Sequence, residues 1–260
     1  MGVTAITLEG SKPIVAGYRS VAHLGRGPLY DVHDAWSEER EARCVVKVLR
    51  PDRRTQPDDR RRVMREGRLL LSLTHPHIVR AYETHDQPFP FIVLEAAHGA
   101  TLARMIEQGP LSLGDLARVA TQLCSALGYL HRQGYLHLDL QPANVAWDRG
   151  QARLDDLSAA RAPGVAVPGA ALSGNPSPEH ARGGVLSAAT DAWGLGRLLH
   201  EAATGRPPSR DDGTDDRDPL LKANGRFRPA IVWTIRRCLE RAPEDRPSIA
   251  DVSRAFAPFV

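Results

Sequence analysis

The sequence predicts an α+β fold in which a small five-stranded antiparallel sheet with one helix precedes a mainly helical region. Two observations support this prediction. Short apolar runs separated by turn residues dominate the first part of the chain, and one amphipathic helix interrupts them. From Ala97 onward, apolar side chains instead recur at helical spacing. We therefore expect two domains, at residues 14–97 and 98–260.

The five strands are predicted from the short apolar runs of the first domain. The first run leads into the turn Gly25-Arg26-Gly27, and the second run follows that turn. The strands are expected at Val21–Leu24, in the segment that ends at Trp36, at Val45–Leu49, at Ile78–Tyr82 and at Phe91–Leu94.

One helix is predicted among these strands, at Pro57–Leu73. Val63 and Leu70 fall on one side of it, and the pair His75-Pro76 follows its end.

In the second domain, a long helix is predicted between a capping box at Ser112 and Asp115 and a terminating Gly134. Its apolar face consists of Leu116, Val119, Ala120, Leu123, Leu127 and Leu130. Further helices are expected near residues 190–204, 229–240 and 248–256, with a polar loop at 207–218.

The composition is that of a soluble globular protein. The chain has 260 residues and 28.4 kDa, of which 42% are hydrophobic and 25% charged. Its apolar runs fall far short of the ~18 residues that indicate a membrane span. Glu9 and Lys12 interrupt the first residues, where a secretory leader would be apolar. We expect no membrane span and a cytoplasmic location.

Charge and cysteine usage exclude two further classes. The 34 basic residues are interspersed with 31 acidic ones, which argues against nucleic-acid binding. Cys44, Cys124 and Cys238 are odd in number and lie among apolar neighbours. They are expected to be buried thiols in a reducing compartment, and neither a disulfide framework nor a zinc site.

Lys47 is a candidate phosphate contact. Only three of the 34 basic residues are lysines, yet one of them lies within the apolar run Cys44–Leu49. An ammonium and a guanidinium are not interchangeable at a phosphate site, which would explain a lysine here. The alternative is a strand-end lysine whose ammonium reaches water.

The segment His137–Asn144 and Asp156 carry the strongest chemical signal. They supply an acid at Asp139, an amide at Asn144 and a second acid at Asp156. Phosphoryl transfer from Mg-ATP uses one carboxylate to orient the attacking hydroxyl, and an amide and a second carboxylate to hold metal ions. The spacing of these three side chains fits that use.

The segment His137–Asn144 reads HLDLQPAN and resembles the H-R-D-L-K-P-x-N catalytic loop of eukaryotic-like (Hanks-type) serine/threonine protein kinases. The resemblance covers roughly residues 14–256. It implies the bilobal protein kinase fold, with the sheet in the N-lobe and most helices in the C-lobe. It also implies the use of ATP with Mg2+ or Mn2+, and a protein substrate or regulatory protein partner.

In the N-lobe, the resemblance assigns phosphate contacts. Gly25 and Gly27 match the Gly-rich loop, where a Cβ would block the approach of backbone N–H groups to an anion. Lys47 matches the lysine that contacts the α- and β-phosphates, and Glu66 is its expected helix partner. Val32 matches the valine that packs on adenine.

Phe91–Ala97 resembles the strand and hinge that hold adenine. Leu94 would be the gatekeeper, and the backbone of Glu95 and Ala97 would pair with the adenine edge. The resemblance implies further nucleotide contacts from Leu24, Val45 and Ala146.

In the C-lobe, the resemblance makes Asp139 the catalytic base, with Asn144 and Asp156 as metal ligands. Asp156 matches the D-F-G aspartate; the adjacent Asp155 is a competitor, but the register with Ala159-Ala160-Arg161 favours Asp156.

Downstream residues match structural landmarks of the same family. Glu179 lies at the end of an A-P-E-like segment, and Arg246 is its expected ion-pair partner. Asp191 starts a D-x-x-S-x-G-like helix and is expected to brace the backbone of the catalytic loop.

The chain departs from the family pattern at four places. Tyr30 stands where the third loop glycine is expected, Leu138 where the catalytic loop has Arg, and Gln141 where it has Lys. Leu157-Ser158 replaces Phe-Gly. We expect the serine to be less free to change conformation than a glycine, which would restrict the flip of this segment. Because Gln141 is neutral, we expect a loss of ~10²–10³ in rate, which leaves a slow but detectable catalyst.

The segment between Asp156 and Glu179 contains no Thr or Tyr. Because Leu138 also removes the Arg that would pair with a phosphate there, we expect activity that does not depend on phosphorylation of this segment. We also expect the amides of Gln141 and Asn175 to replace the lysine–threonine contact of the family.

Three functions fit these residues. The first is an ATP-dependent serine/threonine protein kinase of reduced activity, in which Asp139, Lys47, Glu66 and Gln141 are catalytic. The second is a pseudokinase that acts as a nucleotide-binding or scaffold module. The third is a small-molecule phosphotransferase, because the catalytic segment also resembles the H-G-D-x-H-x-x-N loop of aminoglycoside phosphotransferases; Glu179, Asp191 and Arg246 argue against this third function.

Overall fold

The computed structural model describes residues 12–96, 99–164, 176–208, 220 and 226–260. These residues form two compact units. The first contains the described residues up to Thr74 and those from Val79 to Ala96; the second contains His75–Ile78 and the described residues from Gly99 onward. The α+β class is confirmed by the strands and helices of these units.

The first unit is built on an antiparallel sheet of six strands in the order β1-β2-β3-β4-β6-β5. Its strands are β1 (Pro13–Val15), β2 (Tyr18–Arg26), β3 (Tyr30–Ser37), β4 (Ala42–Leu49), β5 (Ala81–His85) and β6 (Phe91–Glu95). The sheet has one strand more than expected, because the three residues of β1 pair with β2 but are too few to give a sequence signal.

The strand expected at Ile78–Tyr82 lies at Ala81–His85 instead. Ile78 is apolar but leaves the sheet, because it forms a parallel bridge with Leu154 in the second unit. The N–H of Leu154 donates to the carbonyl of His77 at 3.0 Å. The predicted strand is therefore divided between the two units: Ile78 belongs to the second unit, and only the residues from Ala81 onward are part of the sheet.

The helix of the first unit, α1 (Pro57–Ser72), ends one residue before its predicted end. It begins with a proline and two aspartates, which suit a helix N-terminus. Its buried side contains Val63, Glu66, Gly67, Leu69 and Leu70. Glu66 is a charged residue on an otherwise apolar buried side.

The second unit contains six further α-helices among its described residues. They are α2 (Leu102–Glu107), α3 (Leu113–Arg132), α4 (Pro178–Ala181), α5 (Ala188–Thr204), α6 (Pro229–Cys238) and α7 (Ile249–Phe256). The predicted cap of α3 is confirmed, because the N–H of Asp115 donates to Ser112 Oγ at 3.1 Å. Gly134 follows the helix with φ +79°, a left-handed conformation that glycine favours. The expected polar loop lies outside the described residues from position 209 onward.

A three-stranded sheet in the second unit was not predicted. It consists of β7 (Ala100–Thr101), β8 (Val145–Asp148) and β9 (Gln151–Leu154), in that order. Arg149 and Gly150 form the two-residue turn between β8 and β9, with φ of 47° and 84°. Both central residues at positive φ are typical of a tight hairpin. This hairpin positions the chain on either side of it, from Asn144 to Asp155.

The structure also bears on the predictions about cysteines and membrane spans. Cys44, Cys124 and Cys238 are buried free thiols, as predicted. Among the described residues, none of the helices has the length and apolar character needed to span a bilayer.

The predicted ion pair between Glu179 and Arg246 is confirmed. Arg246 Nη1 and Nη2 donate to the two carboxylate oxygens of Glu179 at 2.8 and 2.7 Å. Thr190 Oγ1 also donates to Glu179 at 3.0 Å. Burial alone would raise the pKa of Glu179, but the hydrogen bonds from Arg246 and Ser177 lower it to about 2. The pair therefore fixes α4 in the second unit through an ionised, buried carboxylate.

Gly67→Ala is expected to destabilise the first unit by about 1–3 kcal/mol, because overpacking a filled site is unfavourable. A Cβ at Gly67 would lie 2.6 Å from Thr84 Cβ on β5. Urea unfolding measures the change. Gly128→Ala in α3 is the matched control: the nearest atom there is the end of the Arg132 side chain at 3.4 Å. We expect it to stabilise by about 0.5–1 kcal/mol, since alanine favours helix more than glycine. Equal effects at both sites would contradict this packing.

Glu179→Gln is expected to cost about 3–5 kcal/mol near neutral pH, because it leaves a buried guanidinium without its carboxylate. The folded pKa of Glu179 is about 2 and the ordinary value is 4.5. The contribution is therefore fully present above pH 4.5 and is lost as the pH falls toward 2. Urea unfolding of both proteins at several pH values should show their difference shrinking over that range. The exposed Glu244→Gln is the control, and a difference independent of pH would refute the assignment.

Candidate active site

Lys47 and Glu66 form a buried ion pair in the first unit. Lys47 Nζ lies 3.6 Å from Glu66 Oε1, and the two residues are 5% and 0% exposed. Lys47 is in the central strand β4, opposite Val32 on β3 and Ile92 on β6. Glu66 projects from the buried side of α1. The structure thus brings together the two residues that the sequence predicted as partners.

Tyr30 joins this pair, which the sequence analysis missed. Its hydroxyl donates to Glu66 Oε2 at 2.5 Å, and Lys47 Nζ lies 5.6 Å from the centre of its ring. The sequence marked Tyr30 only as a departure from a glycine. The alternation of side chains along a strand was the available signal, because it places Tyr30 on the same face as Val32.

The segment from Gly25 to Tyr30 forms a tight hairpin turn. The N–H of Gly27 donates to the carbonyl of Tyr30 at 2.8 Å, and Arg50 Nη1 donates to the carbonyl of Gly27 at 3.1 Å. A Cβ at Gly25 would meet no other atom within 4 Å, and one at Gly27 would meet only Tyr30 O at 3.9 Å. Packing within the described residues therefore does not require either glycine.

The residues expected at adenine differ in exposure. Leu94 is buried and Val32 and Val45 are partly buried, whereas Leu24 is 58% exposed. The N–H of Glu95 donates to the carbonyl of Arg80 at 2.9 Å. Ala97 lies outside the described residues, and Ala146 lies in β8 of the second unit.

Asp191 braces the backbone of the segment His137–Asn144 in the second unit, as predicted. Its carboxylate accepts the backbone N–H groups of His137 and Leu138 at 2.9 and 2.8 Å, and His131 Nε2 lies 2.8 Å from Oδ2. Leu138 has φ +66°, a conformation that side chains other than glycine rarely adopt. The buried carboxylate therefore stabilises an unfavourable backbone conformation next to Asp139.

Leu138 packs into an apolar cluster. Its neighbours there are Leu136, Ala159 and Leu186, all buried. An arginine at position 138 would bring a charge to these apolar side chains. The leucine at position 138, where the family pattern has arginine, therefore suits its apolar neighbours.

Two amides hold the carboxylate of Asp139. Gln141 Nε2 donates to its two oxygens at 3.2 and 3.1 Å. Asn144 Nδ2 donates to Asp139 Oδ2 at 3.1 Å and to its backbone carbonyl at 3.0 Å. Asn175 lies outside the described residues, so its expected contact with Gln141 stays a prediction. The amide of Gln141 orients the candidate base directly.

His137 forms a hydrogen bond with the backbone of Asp139. The N–H of Asp139 donates to His137 Nδ1 at 3.3 Å, and His137 is fully buried. Burial lowers the pKa of His137, although the nearby carboxylates of Asp191, Asp139 and Asp156 oppose this effect. A neutral imidazole that accepts at Nδ1 fits this position.

Asp156 lies in a tight turn after β9. The N–H of Ser158 donates to Asp156 Oδ1 at 2.8 Å. The N–H of the competitor Asp155 donates to the carbonyl of Asn144 at 3.2 Å, which joins the two ends of the β8–β9 hairpin. Ser158 does not have positive φ, so this turn forms without the glycine of the family pattern.

The side chains of Asn144 and Asp156 suit a magnesium or manganese ion. The amide nitrogen of Asn144 donates to Asp139, so the amide oxygen of Asn144 points away from Asp139. A carboxylate and an amide oxygen are hard ligands, which Mg2+ and Mn2+ prefer. The donor set therefore fits the metal expected from the sequence.

A cavity of about 290 Å³ adjoins Asp139 and Gln141 within the second unit. Ser177, His180 and Trp193 also line it. His180 Nε2 and Trp193 Nε1 are buried and have no hydrogen-bond partner among the described residues. Burial lowers the pKa of His180. The cavity thus offers space and polar groups beside the candidate base.

Comparison with known proteins gives consistent matches. Serine/threonine-protein kinase PknB of Mycobacterium tuberculosis (strain H37Rv) is 35% identical in an alignment that covers 89% of this chain and 41% of that protein. PknB of Mycolicibacterium smegmatis is 31% identical with the same coverage. The chain therefore spans about two fifths of the length of these relatives.

Structural comparison agrees with the sequence matches. A mutant of the Mycobacterium tuberculosis PknI kinase domain superposes with a TM-score of 0.74 at 25% identity, over 94% of this chain and 96% of that one. Residues 18–256 match the family model described as protein kinase domain. The chain therefore belongs to the protein kinase domain family.

Proposed function

We propose that this chain is an ATP-dependent serine/threonine protein kinase with reduced activity. The observation that carries the proposal is the carboxylate of Asp139, held by the amides of Gln141 and Asn144. These hydrogen bonds orient the carboxylate before a substrate binds. A base that is positioned in this way contributes to phosphoryl transfer.

Asp139 is proposed to orient the acceptor hydroxyl and to receive its proton. The hydroxyl oxygen attacks the γ-phosphorus, the bond from that phosphorus to the ADP oxygen breaks, and the proton passes to the Asp139 carboxylate. The cavity beside Asp139 and Gln141 gives the acceptor a route to this carboxylate.

Asn144 and Asp156 are proposed to hold Mg2+ or Mn2+ through the amide oxygen and the carboxylate. When bound, the ion neutralises charge on the phosphate oxygens. The contact of Asn144 Nδ2 with Asp139 links the metal ligand to the base.

In the first unit, Lys47 is proposed to contact the α- and β-phosphates, with Glu66 orienting its ammonium. Burial of both residues supports this role, because an ammonium in such surroundings keeps a defined position. Gly25, Gly27, Leu24, Val32, Val45, Leu94, Glu95, Ala97 and Ala146 remain the proposed nucleotide contacts.

The reduced activity is proposed to come from Gln141. Its amide reaches Asp139 but carries no positive charge toward the transferring phosphoryl group. One missing electrostatic contact of this kind costs about 3–4 kcal/mol in the transition state.

Activity is also proposed to be independent of phosphorylation. The apolar cluster around Leu138 supports this, because it stabilises the catalytic segment without an arginine–phosphate contact. The pseudokinase is the alternative, and the test below separates the two.

Asp139→Asn is expected to lower phosphate transfer by about 10²–10⁴, the contribution of a positioned base. Mg-ATP binding should stay unchanged, because the substitution keeps the size of the side chain. Phosphatase-treated protein is assayed with radiolabelled ATP on peptide libraries that offer Ser, Thr or Tyr, and on small alcohols. Nucleotide affinity is measured by calorimetry.

The control for that experiment is Asp115→Asn, since this partly exposed aspartate pairs with Arg118 at the start of α3. Wild-type protein that binds Mg-ATP but transfers no phosphate would replace the kinase proposal with the pseudokinase. Transfer only to small alcohols would replace it with the small-molecule phosphotransferase.

Gln141→Lys is expected to raise the rate of phosphate transfer by about 10²–10³, because it restores one positive charge at the transition state. Gln141→Met is the paired control: it fills similar space but supplies neither a charge nor a donor to Asp139. Steady-state kinetics measures both variants. A lysine variant no faster than wild type would show that Gln141 does not limit the rate.

A further inference from the structure

We propose that Tyr30 is a positioning residue that fixes the carboxylate of Glu66 for its partner Lys47. The inference rests on the proposed function, since it concerns the same pair. Its basis is the contact of the Tyr30 hydroxyl with Glu66 Oε2, which the family pattern, with a glycine at this position, cannot make.

The two contacts to Glu66 differ in kind. The phenol oxygen lies 2.5 Å from Oε2, a distance typical of a strong hydrogen bond from a hydroxyl to a carboxylate. Lys47 Nζ lies 3.6 Å from Oε1, which is an ion pair beyond hydrogen-bond length. Of these two contacts, the phenol therefore sets the orientation of the carboxylate.

Burial makes this contact matter. Glu66 is fully buried and Tyr30 is 4% exposed, so water does not readily replace either partner. A buried carboxylate needs hydrogen-bond donors, and its orientation follows the strongest of them. The Tyr30 hydroxyl donates to one oxygen of the Glu66 carboxylate, and the Lys47 ammonium forms an ion pair with the other.

The location of Tyr30 connects two elements. It lies at the first residue of β3, directly after the Gly25–Gly27 turn, while Glu66 lies on α1. Its ring is also within cation–π distance of the Lys47 ammonium. The phenol thus links β3, α1 and the lysine through one side chain.

The test is a double-mutant cycle on Mg-ATP affinity and phosphate transfer, with Tyr30→Phe, Glu66→Met and the double variant. Tyr30→Phe keeps the ring and removes only the hydroxyl. We expect it to weaken Mg-ATP affinity and lower kcat/KM for ATP by about tenfold, the effect of one hydrogen bond to a charged group. In the Glu66→Met background the same change should have no effect, because its acceptor is gone.

Tyr18→Phe is the matched control. Tyr18 is buried in the same unit, and its hydroxyl accepts a hydrogen bond from Arg40 Nη1 at 3.0 Å. We expect this variant to leave affinity and kcat/KM unchanged. An equal loss in Tyr18→Phe, or additive losses in the cycle, would show a general structural effect and overturn the proposal.

The remaining outcomes separate this inference from the proposed function. Wild-type protein that binds Mg-ATP without phosphate transfer would refute the kinase function, while the affinity cycle still decides the role of Tyr30. Normal transfer with Tyr30→Phe equal to wild type would refute the role of Tyr30 alone. A wild-type chain without affinity for Mg-ATP would overturn both.

Discussion

The candidate catalytic segment depends on the buried carboxylate of Asp191. This carboxylate is 1% exposed and accepts the backbone N–H groups of His137 and Leu138. Those bonds hold Leu138 at a φ that an L-residue rarely adopts, and Asp139 follows it directly. Without them, the backbone could relax and the base would lose its position relative to Gln141.

The segment that Asp191 braces carries fewer positive charges than the family pattern. Leu138 replaces a cation with an apolar contact, and Gln141 replaces one with an amide that reaches Asp139. In both cases a fixed neutral contact stands where the family pattern has a charge. The arrangement is consistent with a site that keeps its shape without a phosphate, at the expense of electrostatic stabilisation of the transition state.

Much of the fold followed from local sequence signals. The ends of α1 and α3 were predicted because proline, capping residues and glycine act within a few positions. The pairs made by Glu179 and Asp191 were expected from family resemblance. The sheet β7–β8–β9 was missed because its strands have two to four residues, too few for a periodic pattern.

The role of Tyr30 escaped sequence reasoning for a different reason. A phenol and a carboxylate 36 positions apart meet only after β3 and α1 pack together. Alternation along β3 indicates the face of the sheet on which Tyr30 lies, but not the partner that its hydroxyl contacts. Likewise, the amide of Gln141 could have turned toward several partners, and only the folded loop directs it to Asp139.

The central claim is that Asn144 and Asp156 hold the metal of a bound nucleotide. A crystal structure with a non-hydrolysable ATP analogue and Mn2+, with the ion located by its anomalous scattering, tests it most directly. The account predicts an Mn2+ peak bonded to Asn144 Oδ1 and to the Asp156 carboxylate. Bound nucleotide with the peak on neither side chain would contradict it.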